Sequence, residues 1–319
     1  MSNPQISVLI PLLNEAESLP ELHDWIVSTL TKASLSYEIL FIDDGSTDSS
    51  WQVISDLSLK NEFVRGIKFG RNYGKTAALD TGFQAVKGDV IITMDSDLQD
   101  NPEEIPALYD KITKEGYDLV SGWKKKRHDP FLSKNLPSKL FNWAARRISG
   151  VKLNDFNCGL KAYDKKVVKN IKIYGEMHRY IPVIAKWNGY HKIGEQVVQH
   201  QARKYGETKF GFDRFINGFL DLISITFVNK FGQRPMHFFG AFGVLSFLLG
   251  SVITFFLIAE KIYNLYKHIP YRNVTDNPLF FLALSIILIG TQFFLAGFLG
   301  ELFVKQNIKS NEYIIEETV

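Results

Sequence analysis

Val90-Ile91-Ile92-Thr93-Met94-Asp95-Ser96-Asp97-Leu98-Gln99-Asp100 decides the reading of this 319-residue chain. The apolar first half predicts a buried strand, and the acidic second half stands where that strand ends. Along a strand, residues two apart point to the same side, so Asp95 and Asp97 can converge on one hard cation. Mg²⁺ and Mn²⁺ are bound through few carboxylates plus substrate phosphates, which is chemistry suited to a nucleotide diphosphate. Asp-rich clusters after strands also occur as plain turns, because their carboxylates satisfy nearby backbone groups. A second cluster weighs against that simpler explanation: Glu38-Ile39-Leu40-Phe41-Ile42 runs into Asp43-Asp44-Gly45-Ser46-Thr47-Asp48. Two strand-end acidic clusters in one α/β domain predict a shared crevice at the carboxyl ends of the strands.

Further strands are expected at Ile6–Leu12, Phe63–Lys68 and Asp118–Gly122. Helices are expected from Asn14-Glu15-Ala16-Glu17-Ser18-Leu19-Pro20 to about Leu30 and over Thr76–Ala85. Another opens at Asn101-Pro102-Glu103-Glu104, with proline early and acids in the first turn. Ser46 or Thr47 is expected to cap the helix after the second acidic cluster, with Asp48 near its positive end. Alternating strands and helices predict an α/β fold with a mostly parallel sheet.

Bulk charge is close to balance, with 37 Lys and Arg against 34 Asp and Glu, so composition predicts no nucleic-acid partner. A single cysteine, Cys158, excludes an intrachain disulfide and fits a reducing compartment. Met1-Ser2-Asn3-Pro4-Gln5 lacks a basic and an apolar leader region, so no cleaved signal peptide is expected. Phe238–Ala259 and Leu279–Gly300 hold no charged residue, and each can cross a hydrocarbon core of about 30 Å as a helix. The alternative is a pair of buried core helices. Two spans bring the chain back to its starting side. The chain is therefore expected in the plasma membrane, multi-pass, with its globular part and both termini cytoplasmic. Gly240, Gly243, Gly250, Gly290, Gly297 and Gly300 allow close helix contacts, which makes a homo-oligomer an expected partner state.

Lys124-Lys125-Lys126-Arg127-His128 precedes large apolar residues interleaved with Lys134, Lys139, Arg146 and Arg147. That mixture suits a helix on an anionic membrane surface, at about 130–149. The aromatics of a second amphipathic stretch, Phe212, Phe215, Phe219, Phe227 and Phe231, are candidate interfacial anchors. The expected organisation is a globular domain over 1–209, juxtamembrane helices over 210–234, two spans within 235–304 (about 236–259 and 279–302), and a tail over 305–319.

Six stretches in order now resemble a known family. They are Val8-Leu9-Ile10-Pro11-Leu12-Leu13-Asn14-Glu15, the Asp43–Asp48 turn, Arg71-Asn72-Tyr73-Gly74-Lys75, Asp95-Ser96-Asp97-Leu98-Gln99, Asp155-Phe156-Asn157-Cys158-Gly159-Leu160-Lys161, and Arg203-Lys204-Tyr205-Gly206-Glu207-Thr208-Lys209-Phe210. Together with the paired spans they resemble the inverting family-2 glycosyltransferases of GT-A fold that charge a polyprenyl phosphate. Examples are the dolichol-phosphate mannosyltransferases, bactoprenol glucosyltransferases and undecaprenyl-phosphate aminoarabinose transferases. The fifth stretch departs from the family pattern, which usually ends Gly-Phe-Arg, where this chain has Gly159-Leu160-Lys161.

The resemblance implies a Rossmann-like GT-A domain followed by interfacial and transmembrane helices. It also implies transfer of a sugar from a nucleotide-diphosphate sugar, with UDP favoured over GDP, to undecaprenyl or related polyprenyl phosphate. Pro11, Leu13, Glu15, Asp43, Asp44, Lys75, Asp95 and Ser96 would bind the donor, with Arg203 and Lys209 clamping its diphosphate from a closing loop. One of Asp43 and Asp44 is expected to cap the turn and the other to touch the nucleotide. Asp95, Asp97 and Gln99 would hold a divalent cation, Mg²⁺ or Mn²⁺. Arg127, Lys134 and Ser138 would bind the acceptor phosphate. Asp97 and Asp155 are the expected catalytic groups, Asp155 either as a base or to orient a substrate. A lipid phosphate is already ionised near neutral pH and needs positioning more than deprotonation. Rival readings are a processive polysaccharide synthase, a non-catalytic membrane-anchored scaffold, and a transferase acting on a peptide, against which the paired spans and basic interfacial helix favour a lipid acceptor. The first usually carries a Gln-x-x-Arg-Trp motif, which this sequence lacks; intact Asp44, Asp95, Asp97 and Asp155 weigh against the second.

Overall fold

The computed structural model describes residues 3–125, 136–201, 204–205, 213–232, 234–270 and 272–307. The chain divides into two units, Met1–Ser224 and Ile225–Val319.

The first unit is built on a seven-stranded sheet. Strands β1 (Ile6–Leu12), β2 (Tyr37–Asp43), β3 (Val64–Lys68) and β4 (Val90–Thr93) are mutually parallel, and all but β3 are mainly apolar runs. Every residue of β1 and β4 is buried, as expected of parallel strands covered on both faces. Helices α1 (Leu19–Lys32), α2 (Ser50–Lys60), α3 (Lys75–Ala85) and α4 (Ile105–Thr113) follow β1 to β4 in turn. α1 buries Leu19, Leu22, Ile26 and Leu30, the spacing of a single helical face.

β5 (Leu119–Trp123), β6 (Lys161–Asp164) and β7 (Ile193–Val197) complete the sheet in the order β3-β2-β1-β4-β6-β5-β7. β6 lies antiparallel to both neighbours, β4 and β5. Helices α5 (Leu136–Ser149), α6 (Lys165–Asn170) and α7 (Ile181–Trp187) fall among these strands. Strand order reverses between β1 and β4: β2 and β3 lie to one side of β1, and β4 to the other. Such a switch opens a crevice at the carboxyl ends of the strands, where the acidic clusters stand.

The amino ends of the strands are closed by a buried polar network. Glu38 accepts from Ser7 Oγ at 2.6 Å, from the Lys87 amide at 2.6 Å and from Arg65 at 2.8 Å. The helix after the second acidic cluster starts later than expected, at Ser50. Ser46 instead accepts from the Asn14 amide (2.9 Å), and Asp48 takes the Ser50 amide (2.9 Å). The Asn-Glu stretch after β1 explains this: Asn14, at φ 55°, takes the Thr47 amide at 2.8 Å and so recruits the turn as its own partner.

α8 (Asp213–Phe231) leads from the first unit into the second, which is a hairpin of α9 (Pro235–Tyr266) and α10 (Pro278–Asn307). Both helices are long and apolar enough to cross a membrane, and only 17% and 11% of their most apolar windows are buried. They are not core helices. The glycines form the seam between them. A Cβ on Gly243 would meet Gly290 O at 2.8 Å, one on Gly250 would meet Ala283 O at 2.7 Å, and one on Gly297 would meet Gly240 N at 3.1 Å. The close helix contacts expected of these glycines are made between the two helices of one chain. Phe227 and Phe231, expected as interfacial anchors, pack against Phe238 at 5.2 and 4.9 Å between ring centroids.

Candidate active site at the strand-order switch

β4 ends at Thr93, and after Met94 and Asp95 the chain bends over residues 96–98, with Leu98 at φ 60°. Strand alternation, the expected reason for Asp95 and Asp97 to face one way, does not apply. The bend is held by its own acids. Asp97 Oδ1 accepts from the Gln99 amide at 3.2 Å, and Asp100 Oδ2 accepts from the Asp95 amide at 3.3 Å. Asp100 is fully buried and ion-paired to Lys124 at 2.8 Å. Lys124 therefore belongs to the site scaffold and not to the membrane-surface run assigned to it from sequence.

The two acidic clusters are joined by the Arg71–Lys75 loop. Asp44 accepts from the amides of Tyr73 (2.7 Å) and Gly74 (2.9 Å). Gly74 has φ 93°, which a side chain would resist, and the loop then delivers Lys75 as the first residue of α3. The Lys75 ammonium meets Asp95 Oδ1. Burial alone would raise the Asp95 pKa. The charge of Lys75, with Lys124 and Lys161 beyond it, outweighs this and holds the carboxyl well below the usual carboxylate range.

Asp43 has a different task. Its Oδ1 accepts from the Ser46 amide at 2.8 Å, and its buried Oδ2 has no hydrogen-bond partner among the described residues. Both aspartates are thus engaged by backbone, which the one-capping, one-binding expectation did not foresee. Pro11 is buried in β1, and Leu13 and Glu15 are half-buried just past its end. Ser96 is buried in the acidic bend.

The Asp155–Lys161 stretch reaches this site because β6 pairs with β4, bringing Lys161 opposite Thr93. Thr93 Oγ1 donates to Gly159 O at 2.9 Å, and the Asp95 carboxylate occupies the space a Cβ on Gly159 would fill. Lys161 is buried and donates to Cys158 O, and burial pushes its pKa down. The Cys158 thiol is pushed up to about 12 by burial, which makes it inert as a nucleophile.

Asp155 is buried, and its Oδ1 accepts from the Asn157 amide at 3.0 Å. Glu195, on β7, is a site residue that sequence reasoning missed. It accepts from the amides of Asn154 (2.8 Å) and Asp155 (3.0 Å), and burial pushes its own pKa up. Nothing in its sequence setting, Ile193-Gly194-Glu195-Gln196-Val197, marks it out. Gln99 Nε2 points to Gln201 O (3.4 Å), and Asp100 bridges to His200, so the bend borders the segment that leads to Arg203.

Arg127, Lys134, Arg203 and Lys209 lie outside the described residues, as does the side chain of Ser138, which falls in the first turn of α5. Among the described residues no three His, Cys, Asp or Glu side chains converge as a metal site. Asp95, Asp97 and the Gln99 amide oxygen are a hard-oxygen donor set. It fits Mg²⁺ or Mn²⁺ provided that phosphate oxygens complete the shell.

A mixed sheet with this strand reversal and an acidic bend at the switch defines a GT-A glycosyltransferase. The chain belongs to glycosyl transferase family 2, whose model matches residues 7–172. It is 31% identical over 98% of its length to the dodecaprenyl-phosphate galacturonate synthase of Rhizobium johnstonii, covering 92% of that protein. It is 38% identical over 93% of its length to the undecaprenyl-phosphate 4-deoxy-4-formamido-L-arabinose transferase of Shewanella sediminis, covering 86% of that protein. Among solved structures, glucosyl-3-phosphoglycerate synthase from Mycobacterium tuberculosis shares the fold. The TM-score is 0.53 at 21% identity, over 71% of this chain and 80% of that one.

Proposed function

We propose that this enzyme transfers one sugar from a nucleotide-diphosphate sugar to undecaprenyl or a related polyprenyl phosphate, with inversion at the anomeric carbon. The donor is a UDP-sugar. The observation that carries the reading is the meeting of Lys75, Asp95 and Gly159 at the strand switch, in a chain that also carries two exposed apolar helices. Relatives named for dodecaprenyl and undecaprenyl phosphates support the acceptor class.

Pro11, Leu13, Glu15, Asp43 and Asp44 border the nucleotide. Asp43 supplies its spare acceptor oxygen, and Asp44 aims the loop that carries Lys75. Asp95, Ser96, Asp97 and Gln99 face the donor diphosphate. A divalent cation bound there would act as a Lewis acid on the leaving diphosphate. Neighbours of the same fold solved with Mn²⁺ and UDP-glucose support that choice of cation and donor. Lys75 neutralises Asp95 before the donor arrives. Arg203 and Lys209 close on the diphosphate.

Arg127, Lys134 and Ser138 hold the acceptor phosphate, offsetting its repulsion from the donor. Asp155 orients acceptor or sugar, because an ionised phosphate oxygen needs no strong base. α9 and α10 anchor the enzyme in the plasma membrane, with the sugar-transferring unit and both termini cytoplasmic.

Mass spectrometry of lipid from a reaction with purified enzyme, undecaprenyl phosphate and a panel of UDP- and GDP-sugars tests this reading. A product heavier by one glycosyl unit supports it. A ladder of longer products would show a processive synthase, and no product from any donor with folded protein would favour a scaffold.

A further inference from the structure

We propose that Asn142 on α5 and Glu195 on β7 are positioning residues for Asp155, clamping its main chain from two sides so that the seating of α5 sets where the carboxylate stands. This rests on the reading of Asp155 as a substrate-facing group.

Successive main-chain groups around Asp155 are held by side chains and not by a ladder. Leu153 O accepts from Arg146 Nη1 at 3.1 Å. The Asn154 amide donates to Glu195 Oε1 at 2.8 Å, and Asn154 O accepts from Asn142 Nδ2 at 2.8 Å. The Asp155 amide donates to the same Glu195 oxygen at 3.0 Å, and Asp155 O accepts from Ser121 Oγ at 3.3 Å. The Phe156 amide donates to Asn142 Oδ1 at 3.4 Å. The second Glu195 oxygen takes the Asn154 side-chain amide at 2.8 Å.

Buried backbone must find partners, and a loop could find them in turns of its own. Here the partners come from α5, β5 and β7, so the corner stands wherever those elements place it. A fully satisfied buried network fixes one geometry. Asn142 faces inward, while Trp143 and Arg147 on the same helix are exposed. α5 thus joins an exposed apolar and basic face to the Asp155 corner. None of these bonds involves Asp44, Lys75 or Asp95, so loosening the clamp reaches turnover without reaching the donor cluster.

The test uses full-length enzyme in detergent, with undecaprenyl phosphate and whichever UDP-sugar of the panel turns over. E195M keeps the side-chain length and removes the oxygen that accepts both main-chain amides. N142L keeps the γ-branched outline with bulkier methyl groups and removes both bonds. Each is expected to lower kcat about 100-fold, the scale of a misplaced reacting group. UDP binding in Mn²⁺ is expected to stay within about twofold by calorimetry. A kcat per folded molecule within about twofold of wild type in either variant overturns the proposal, as does a loss of UDP binding that matches the loss of turnover. D155N separates the two layers. Wild-type turnover in D155N would sink the reading of Asp155 itself, whereas an inactive D155N beside normal E195M and N142L would sink the clamp alone.

Discussion

The Asp95 carboxylate lies against the bare Cα of Gly159, where an added Cβ would stand 2.6 Å from Asp95 Cγ. That contact joins the donor-side acidic bend to the acceptor-side stretch. It predicts that Gly159→Ala swings Asp95 away from Lys75 and out of the shared crevice. The surrounding backbone has no need to move, so the variant is expected to fold. Its donor turnover should fall about 100-fold, the scale expected for a displaced reacting group. Steady-state kinetics beside a melting curve checks this; unchanged kcat/KM would show that Asp95 does not need that place.

Glu38 makes an acid-sensitive contribution to stability. Burial alone would raise its pKa; hydrogen bonds from Ser7 and the Lys87 amide, with Arg65, outweigh this and bring it below the usual value of 4.5. A lowered folded-state pKa means stability that is present above the unfolded value and lost as pH falls through the folded one. Arg65 is 37% exposed, so the ion pair itself is screened and the buried hydrogen bonds matter more. Glu38→Gln is expected to cost about 1–3 kcal/mol at neutral pH. The gap in melting temperature between wild type and variant should narrow below pH 4.5. A gap independent of pH would contradict the assignment.

Gly290 sits where α9 and α10 touch backbone to backbone. A Cβ there would meet Phe247 N at 2.7 Å and Gly243 O at 2.8 Å, neither of which can rotate away. Gly290→Val is therefore expected to destabilise the hairpin by about 1–3 kcal/mol, the usual cost of overpacking. Thermal unfolding in detergent measures it, and a melting temperature equal to wild type would mean that the helices part at no cost.

Much of the first unit was legible because parallel strands buried on both faces read as plain apolar runs, as in β1, β2 and β4. β6 and β7 were not legible. Lys161-Ala162-Tyr163-Asp164 is short and begins and ends with charge, and β7 is a half-exposed edge whose pattern carries no period. The acidic clusters were found by composition, but their wiring was not. Asp48 stands at the helix start as expected, but Ser46 and Thr47 do not cap it, because Asn14 engages both in the turn. Lys124 read as one more basic residue before an amphipathic helix, since its partner Asp100 is 24 residues away in sequence, 124 − 100. The glycines of the spans were read as small contact residues, yet sequence does not say whether the contact lies within one chain or between chains.

The most direct measurement is transfer of labelled sugar from a UDP-sugar to undecaprenyl phosphate by purified wild-type enzyme and by Asp97→Asn, each in Mn²⁺ and in EDTA. The account predicts lipid-linked label from wild type in Mn²⁺, none in EDTA, and none from the folded variant in either. Wild-type turnover by Asp97→Asn at saturating Mn²⁺, or equal transfer by wild type in EDTA, would contradict it.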